Sequence, residues 1–520
     1  MSGRVTVELI DAVKGRARDL LRDAGRRLAH LRYADLRVAV TESRSAAAEN
    51  GAVKFSGDDY GFALGVRVLA GQRAVAPGYA GRGLGSVDAA DLDRVIRETL
   101  EQAYRRALVN AEQKADAREK FGPLGASLGD TRLHPIEARE DTVPAEYEID
   151  PRAVPLAEVV RLATDVSRQV AAVERIQHNW VGALTQLSRE LFASTEGALI
   201  DQAFALTQGG CSVVAVEGAV SQDLYDVAGH QRGWEVLQRG VDEPLMRFGA
   251  FPAFALALAG EAAALAVAPP LPTSAGEEVV VTDPHYNTLV SHEILGHPAE
   301  LDRALKMETA YAGRSWLLRG LGEHQVGRPV ASPLVTAYSD PALPGYGHYR
   351  YDDEGTPARR VVHIDGGVFT GFMNSRQTAA IFGGGPNGHY KATDPAMVPL
   401  IRMSNTVFAA GGHDPAAIVK EVDRGWYVSG HRIPSIAESR ENFRISARSV
   451  WEIRNGELGR RYRDGGIAAD SRDYLMHVDA VGTDFLLHPI PNCGKGQPMQ
   501  VKRLGNGGPT MRSRARVVGG

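Results

Sequence analysis

EVVVTDPHYNTLVSHEILGHPAELDRAL, residues 278–305, changes its hydrophobic period halfway along. Val279, Val280 and Val281 form a short apolar run of the kind that buried strands carry, whereas beyond Asp283 the apolar residues space out helically and Pro284 suits a first helical turn. The stretch therefore predicts a strand feeding a helix that carries His292, Glu293 and His297. From about Ser332 onward glycines and β-branched residues dominate, as in RRVVHIDGGVFTGFMN (359–374), RISARSVWEIRNGELGRRYR (444–463) and YLMHVDAVGTDFLL (474–487), with DGG and RNGE as hairpin turns. The C-terminal part should be β-rich, with the histidine-bearing helix set into it.

Working outward, the N-terminal part alternates two patterns. Residues from Val5 to about His30, and 86–113, keep helical spacing, whereas LRVAVTES (36–43) and YGFALGVRVLAG (60–71) read as strands. A polar connection over 130–155 leads to a helix starting near Pro155, and 178–229 has the glycine-broken pattern of an antiparallel meander. An apolar helix near 252–268 is followed by APPLPTSAGEE (268–278), whose Pro, Ser and Gly content marks a linker. The expected class is α+β: a mixed α/β N-terminal domain over 1–272 and a β-rich C-terminal domain over 273–520.

Composition excludes several roles. The 520 residues are 44% apolar and 23% charged with net charge −4, so no global basic field is present to hold a nucleic-acid backbone. The charged N-terminus lacks the apolar core of a secretory signal. FPAFALALAGEAAALAVAPPLP from Phe251 is interrupted by Glu261 and stopped by Pro269, Pro270 and Pro272, so it reads as a buried helix and not a membrane span. Two cysteines, Cys211 and Cys493, make no disulfide framework, and the expected compartment is the cytoplasm.

His292 and His297 stand at i and i+5, with Glu293 beside the first. On a regular helix that spacing leaves the side chains about 140° apart, too far for one ion. A π turn, which adds a residue to one helical turn, would bring them together, and Gly296 and Pro298 make the local backbone permissive of it. With a zinc ion on both imidazoles, Glu293 would serve as proton acceptor for the water that zinc activates, which is amide hydrolysis chemistry. A catalytic zinc needs a third protein ligand. Glu300 lies three residues after His297, Asp302 is less well placed, and Cys493 lies in the glycine-rich PNCGKGQP, although a lone cysteine is more often a small buried apolar group. Cys211 keeps that plain reading.

HEILGHPAELD resembles the motif H-E-x-x-G-H-x-x-E-x-D of the TldD/PmbA metalloprotease family. YDDEGTPARRVVHIDGGVFTGFM from Tyr351, RMSNT from Arg402, WEIRNGELG from Trp451, NCGKGQP around Cys493 and the tail GGPT follow in that family's order, and YGFALGVRVLAG and STEGALIDQ resemble its N-terminal domain. The resemblance implies that Cys493 completes a zinc site with His292 and His297, that Glu293 is the general base, and that Glu300 supports a ligand histidine. It implies a TldD-like catalytic subunit acting on extended, unfolded peptides, as a homodimer or a heterodimer with a PmbA-like subunit. Strand addition to a sheet edge gives such binding a physical basis. A biosynthetic hydrolase for one modified peptide or small amide, or a non-catalytic peptide-binding subunit that retains metal, are the alternatives.

Two stretches depart from the family pattern. VSGHRIPSIAESRENFRISARSV (428–450) is more charged and less glycine-rich, which bears on the substrate groove. Lys502, Arg503, Arg512, Arg514 and Arg516 form a basic cluster that reads as a solvated face, or else as a preference for an acidic peptide or a carboxylate end.

Overall fold

The computed structural model describes residues 5–125, 128–310 and 313–520. Its N-terminal part is built on one seven-stranded sheet. Helix α1 (Leu9–Arg27) precedes strands β1 (Leu31–Glu49), β2 (Ala52–Ala70) and β3 (Ala76–Gly83). Helix α2 (Leu92–Gly125) follows, then β4 (Glu140–Val143), α3 (Leu156–Ala171), β5 (Ile176–Ser194), β6 (Leu199–Glu217), β7 (Val220–His230) and α4 (Phe251–Ala266). The sheet order is β3-β2-β1-β5-β6, with β4 and β7 both on β6 and only β4 parallel to its neighbour.

Strand alternation decides which face is covered. Ala34, Leu36, Val38 and Val40 of β1 pack with α1 and α2, and Ala46 and Ala48 further along the same face pack with α3 and α4. Asp35 and Arg37 between them point the other way: Arg37 pairs with Asp353, while Arg67, the cross-strand partner of Asp35, pairs with both Asp35 and Glu354. The sheet thus has an apolar face under helices and a polar face that meets the C-terminal part through the DDE of YDDEGTPARR. The region from Ser86 is not one helix: Ser86–Ala89 forms a short separate turn before α2. Among the described residues no helix is long and apolar enough to cross a membrane.

The C-terminal part has two main sheets. Strands β8 (Glu277–Thr282), β9 (Arg424–Ile436), β10 (Asn442–Arg454), β11 (Gly465–Asp470) and β12 (Met511–Gly519) pair in that order, and β12 pairs back onto β8, which closes the ring. The second sheet runs Val368–Phe369, Val361–Asp365, Ala337–Ser339, Asn405–Phe408, Gln500–Gly508 and Leu486–Lys495, the last at its edge. Between ring and sheet lies the helix that follows β8, Pro284–Val290, whose Leu289 and Val290 share one buried cluster with Ile445 and Val517 of the ring and Phe408 and Leu504 of the sheet. The chain is a mixed helix-and-strand α+β protein, as the sequence patterns indicate.

Candidate metal centre

Asp283 caps the buried helix by accepting from Tyr286 N at 2.6 Å, and Pro284 occupies its first turn. The same carboxylate accepts from Ser429 Oγ at 2.8 Å, which ties the helix start to β9. Residues Ser291–Gly296 then form a π turn. The added residue brings the two rings together: their centroids are 4.7 Å apart at 88°. Gly296 itself has ordinary helical angles, φ −62° and ψ −57°, so relaxed backbone is not its purpose. Its place is set by space, because a Cβ there would lie 2.0 Å from Met403 Sδ. Gly296→Ala should therefore overpack this contact and lower unfolding stability by about 1–3 kcal/mol. Urea denaturation checks it; an unchanged midpoint would contradict the packing argument.

Cys493 arrives from the edge strand Leu486–Lys495. Pairing with Gln500–Gly508 slips between Ile490, opposite Leu504, and Cys493, opposite Lys502, so one extra residue bulges out. Such a bulge re-aims a side chain, and the prolines at 489 and 491 suit an edge strand. Candidate ligand atoms of His292, His297 and Cys493 all lie within 4.8 Å of one another, and all three residues are buried. Cys493 Sγ is 3.8 Å from His297 Nε2.

Hydrogen bonds fix both rings. Asn506 Nδ2 donates to Thr406 O at 2.9 Å, so its Oδ1 must accept, and His292 Nδ1 donates to it at 3.0 Å. His297 Nδ1 donates to Glu300 Oε2 at 3.2 Å. Each imidazole keeps Nε2 available as a ligand atom. Burial alone would raise the Cys493 thiol, but His292, His297 and Arg402 outweigh it and hold the group well below the ordinary thiol range. Burial likewise opposes charge on His292, yet the neighbouring thiolate carries it up to about 9. Cys211, buried without such neighbours, is pushed up to about 12. A thiolate and two oriented imidazoles form a donor set that fits a tetrahedral zinc ion with one position open.

Glu293 is buried beside His292 and forms an ion pair with Arg440. Burial would raise its carboxyl, but Arg440 and the two histidines lower it below the ordinary carboxylate value. Glu300 is fully buried; Lys495 and Arg303 more than offset that burial and hold it well below the carboxylate range. Arg303 Nη2 donates to its Oε2 at 2.8 Å and Lys495 Nζ at 3.2 Å. Asp302 is not near enough to serve as a ligand with the histidines and instead accepts from Lys495 Nζ at 2.7 Å.

Four residues at this centre escape a reading of the sequence. Lys495 sits inside NCGKGQP and Asn506 just before GGPT, so the motifs marked their neighbourhood without their roles. Arg402 of RMSNT donates to Cys493 O at 2.5 Å. Arg440 had no local signal beyond the charged character of 428–450. Replacing fully buried Lys495 by Met takes the cation from Asp302 and leaves Glu300 with Arg303 alone, and should cost about 3–5 kcal/mol. Thermal unfolding reads this, and a loss below 1 kcal/mol would show that the network carries little.

The sequence profile of the PmbA/TldA metallopeptidase C-terminal domain matches residues 276–520, and that of PmbA/TldA metallopeptidase domain 1 matches residues 34–111. A metalloprotease of Methanothermobacter thermautotrophicus is 30% identical over 397 residues, 76% of this chain and 81% of that protein. The chain belongs to the TldD/PmbA family. A protein of Saccharolobus solfataricus named zinc metalloprotease TldD homolog is 27% identical over 248 residues, 47% of this chain and 52% of that protein. The crystal structure of TldE from Thermococcus kodakarensis superposes with a TM-score of 0.67 at 17% identity, covering 95% of this chain and 99% of that one, a likeness of fold. The matched C-terminal profile spans the TldD/PmbA motif helix, Cys493 and Asn506 together.

Proposed function

We propose that this chain is a zinc-dependent metallopeptidase that hydrolyses peptide bonds of unfolded or extended peptides. The observation that carries the reading is the convergence of two oriented imidazoles and a buried thiolate within 4.8 Å, with the Glu293 carboxylate beside them. His292, His297 and Cys493 would hold the ion. When bound, zinc supplies a Lewis acid that polarises the scissile carbonyl and makes a water molecule more acidic. Glu293, kept ionised by Arg440, takes the proton from the attacking water and returns it to the leaving nitrogen. Glu300, itself fixed by Arg303 and Lys495, holds the His297 ring, and Asn506 holds the His292 ring.

Cys493 lies on the edge strand of its sheet, and a sheet edge is where an extended peptide can add as a further strand. The metalloprotease names of the relatives support the reaction class. We further infer a division into domains at 272/273, a cytoplasmic location, and a dimer, either of two copies or with a PmbA-like partner. A second reading, cleavage of one specific modified peptide or small amide, is favoured by Arg440. It brings the segment that departs from the family pattern directly onto Glu293.

The test is hydrolysis of an unstructured peptide mixture by the purified chain, with and without chelator, followed by mass spectrometry. Chelator-sensitive cleavage, restored by zinc, is expected. Cleavage that survives metal removal would overturn the assignment; bound zinc without cleavage would move it to the narrow-substrate reading.

A further inference from the structure

A cavity of about 210 Å³ lies between the polar face of the N-terminal sheet and the strand Gln500–Gly508, apart from the metal ligands. Four cations line it: Arg37, Lys391, Lys502 and Arg503. Two are already matched. Arg37 Nη1 is 3.1 Å from Asp353 Oδ2, and Lys391 Nζ is 2.6 Å from Asp353 Oδ1 and 3.1 Å from Glu190 Oε2. Of the other lining acids, Asp352 accepts backbone N–H groups of Glu354 and Thr356, and burial beside Glu354 pushes it up. Asp394 accepts from Ala396 N at 2.7 Å.

Lys502 and Arg503 remain without a carboxylate partner among the described residues. The Lys502 ammonium makes no hydrogen bond there and only approaches the Tyr349 ring, 5.7 Å from its centroid. Burial, with Lys391 nearby, pushes this amine down to about 8, although the more distant Glu190 and Asp353 carboxylates act in the opposite direction. Arg503 is placed beside Tyr346. The two side chains that the sequence assigned to a solvated basic face are thus half-buried and turned into a cavity.

The cavity also adjoins the candidate metal ligands through the sheet. Lys502 is the cross-strand partner of Cys493, so their Cα atoms are roughly 4.5–5.5 Å apart. One ladder rung separates a candidate zinc ligand from a cation that makes no direct ion pair among the described residues.

We propose that Lys502 and Arg503 form a carboxylate-binding subsite that receives an anionic group of the peptide being cleaved. The inference rests on the peptidase reading above. It narrows the substrate class to peptides presenting a carboxylate a short distance from the scissile bond, either the C-terminal carboxylate or an acidic side chain. A guanidinium beside an ammonium in a low-dielectric recess suits that group, because charge-assisted hydrogen bonds there are stronger than in water.

Fluorescence anisotropy on the full-length, zinc-loaded Glu293→Gln protein tests this without turnover. Three labelled octapeptides of Ala, Ser and Gly are compared: amidated, with a free C-terminal carboxylate, and amidated with one internal Asp. A peptide bearing a carboxylate should bind about tenfold tighter than the amidated one, a difference typical of a charged hydrogen-bonded pair. Whichever of the two gains identifies the source of the carboxylate. Adding Lys502→Met and Arg503→Gln should collapse the difference to less than about twofold, and Lys502→Glu with Arg503→Glu should turn the preference toward a peptide carrying one Lys. Zinc content of each variant reports that the neighbouring Cys493 strand is intact. Equal binding of all three peptides, or a preference that survives the Met and Gln substitutions, overturns the subsite alone; no binding of any peptide removes the peptidase reading and the subsite with it.

Discussion

Glu293→Gln should reduce peptide hydrolysis by about 10²–10⁴-fold while zinc stays near one per chain, since that range is the usual contribution of a positioned general base. The side chain keeps its shape in the substitution but loses its negative charge and with it the ability to accept a proton. Its position is narrowly set: it follows His292 in the π turn, is buried, and is ion-paired to Arg440. The amide also removes the ion pair with Arg440, so some loss of stability is expected as well. Activity is therefore compared per folded, zinc-bearing molecule, using a melting curve and metal analysis of the same preparation. Hydrolysis within about tenfold of the parent would remove Glu293 from the base role.

Cys493→Ala should weaken zinc binding by more than about 100-fold, because loss of a hydrogen bond that merely supports a ligand already costs 10–100-fold. The two cysteines provide an internal control. Cys211 faces a core in which burial pushes its thiol up to about 12, whereas Cys493 is held as a thiolate by two imidazoles and Arg402. Cys211→Ala should leave zinc affinity unchanged. Competition against a chelator of known affinity gives both values. Zinc held equally well without Cys493 would transfer the third position to another group.

How much of this could be read beforehand depends on whether the cause is local. The i, i+5 spacing of His292 and His297 demands extra helical width, and the π turn supplies it over residues 291–296. The strand before it and the proline in its first turn were equally local. The reason for Gly296 was not: its space is needed by Met403, more than a hundred residues away in sequence. Asn506, Arg440 and Lys495 reach the centre through the ring and sheet, so no periodicity within their own segments reports their partners. Cys493 was singled out by family resemblance, since spacing alone left Glu300 and Cys493 both open.

Strand length was also partly hidden. TESRSAAAE, residues 41–49, has little intrinsic preference for extended structure, yet it belongs to 19-residue β1 because β2 and β5 pair along it on both sides. The basic tail illustrates the opposite limit. A charge cluster in sequence looks solvated by default, and only the fold distinguishes Arg512, paired with Asp479 and Glu421, from Lys502, which faces a cavity.

The most direct test of the metal centre is X-ray absorption at the zinc edge of the zinc-loaded full chain. The proposed ligands predict one sulfur at about 2.3 Å together with imidazole nitrogens at about 2.0–2.1 Å. A shell containing only nitrogen and oxygen would exclude Cys493 and contradict the three-ligand site.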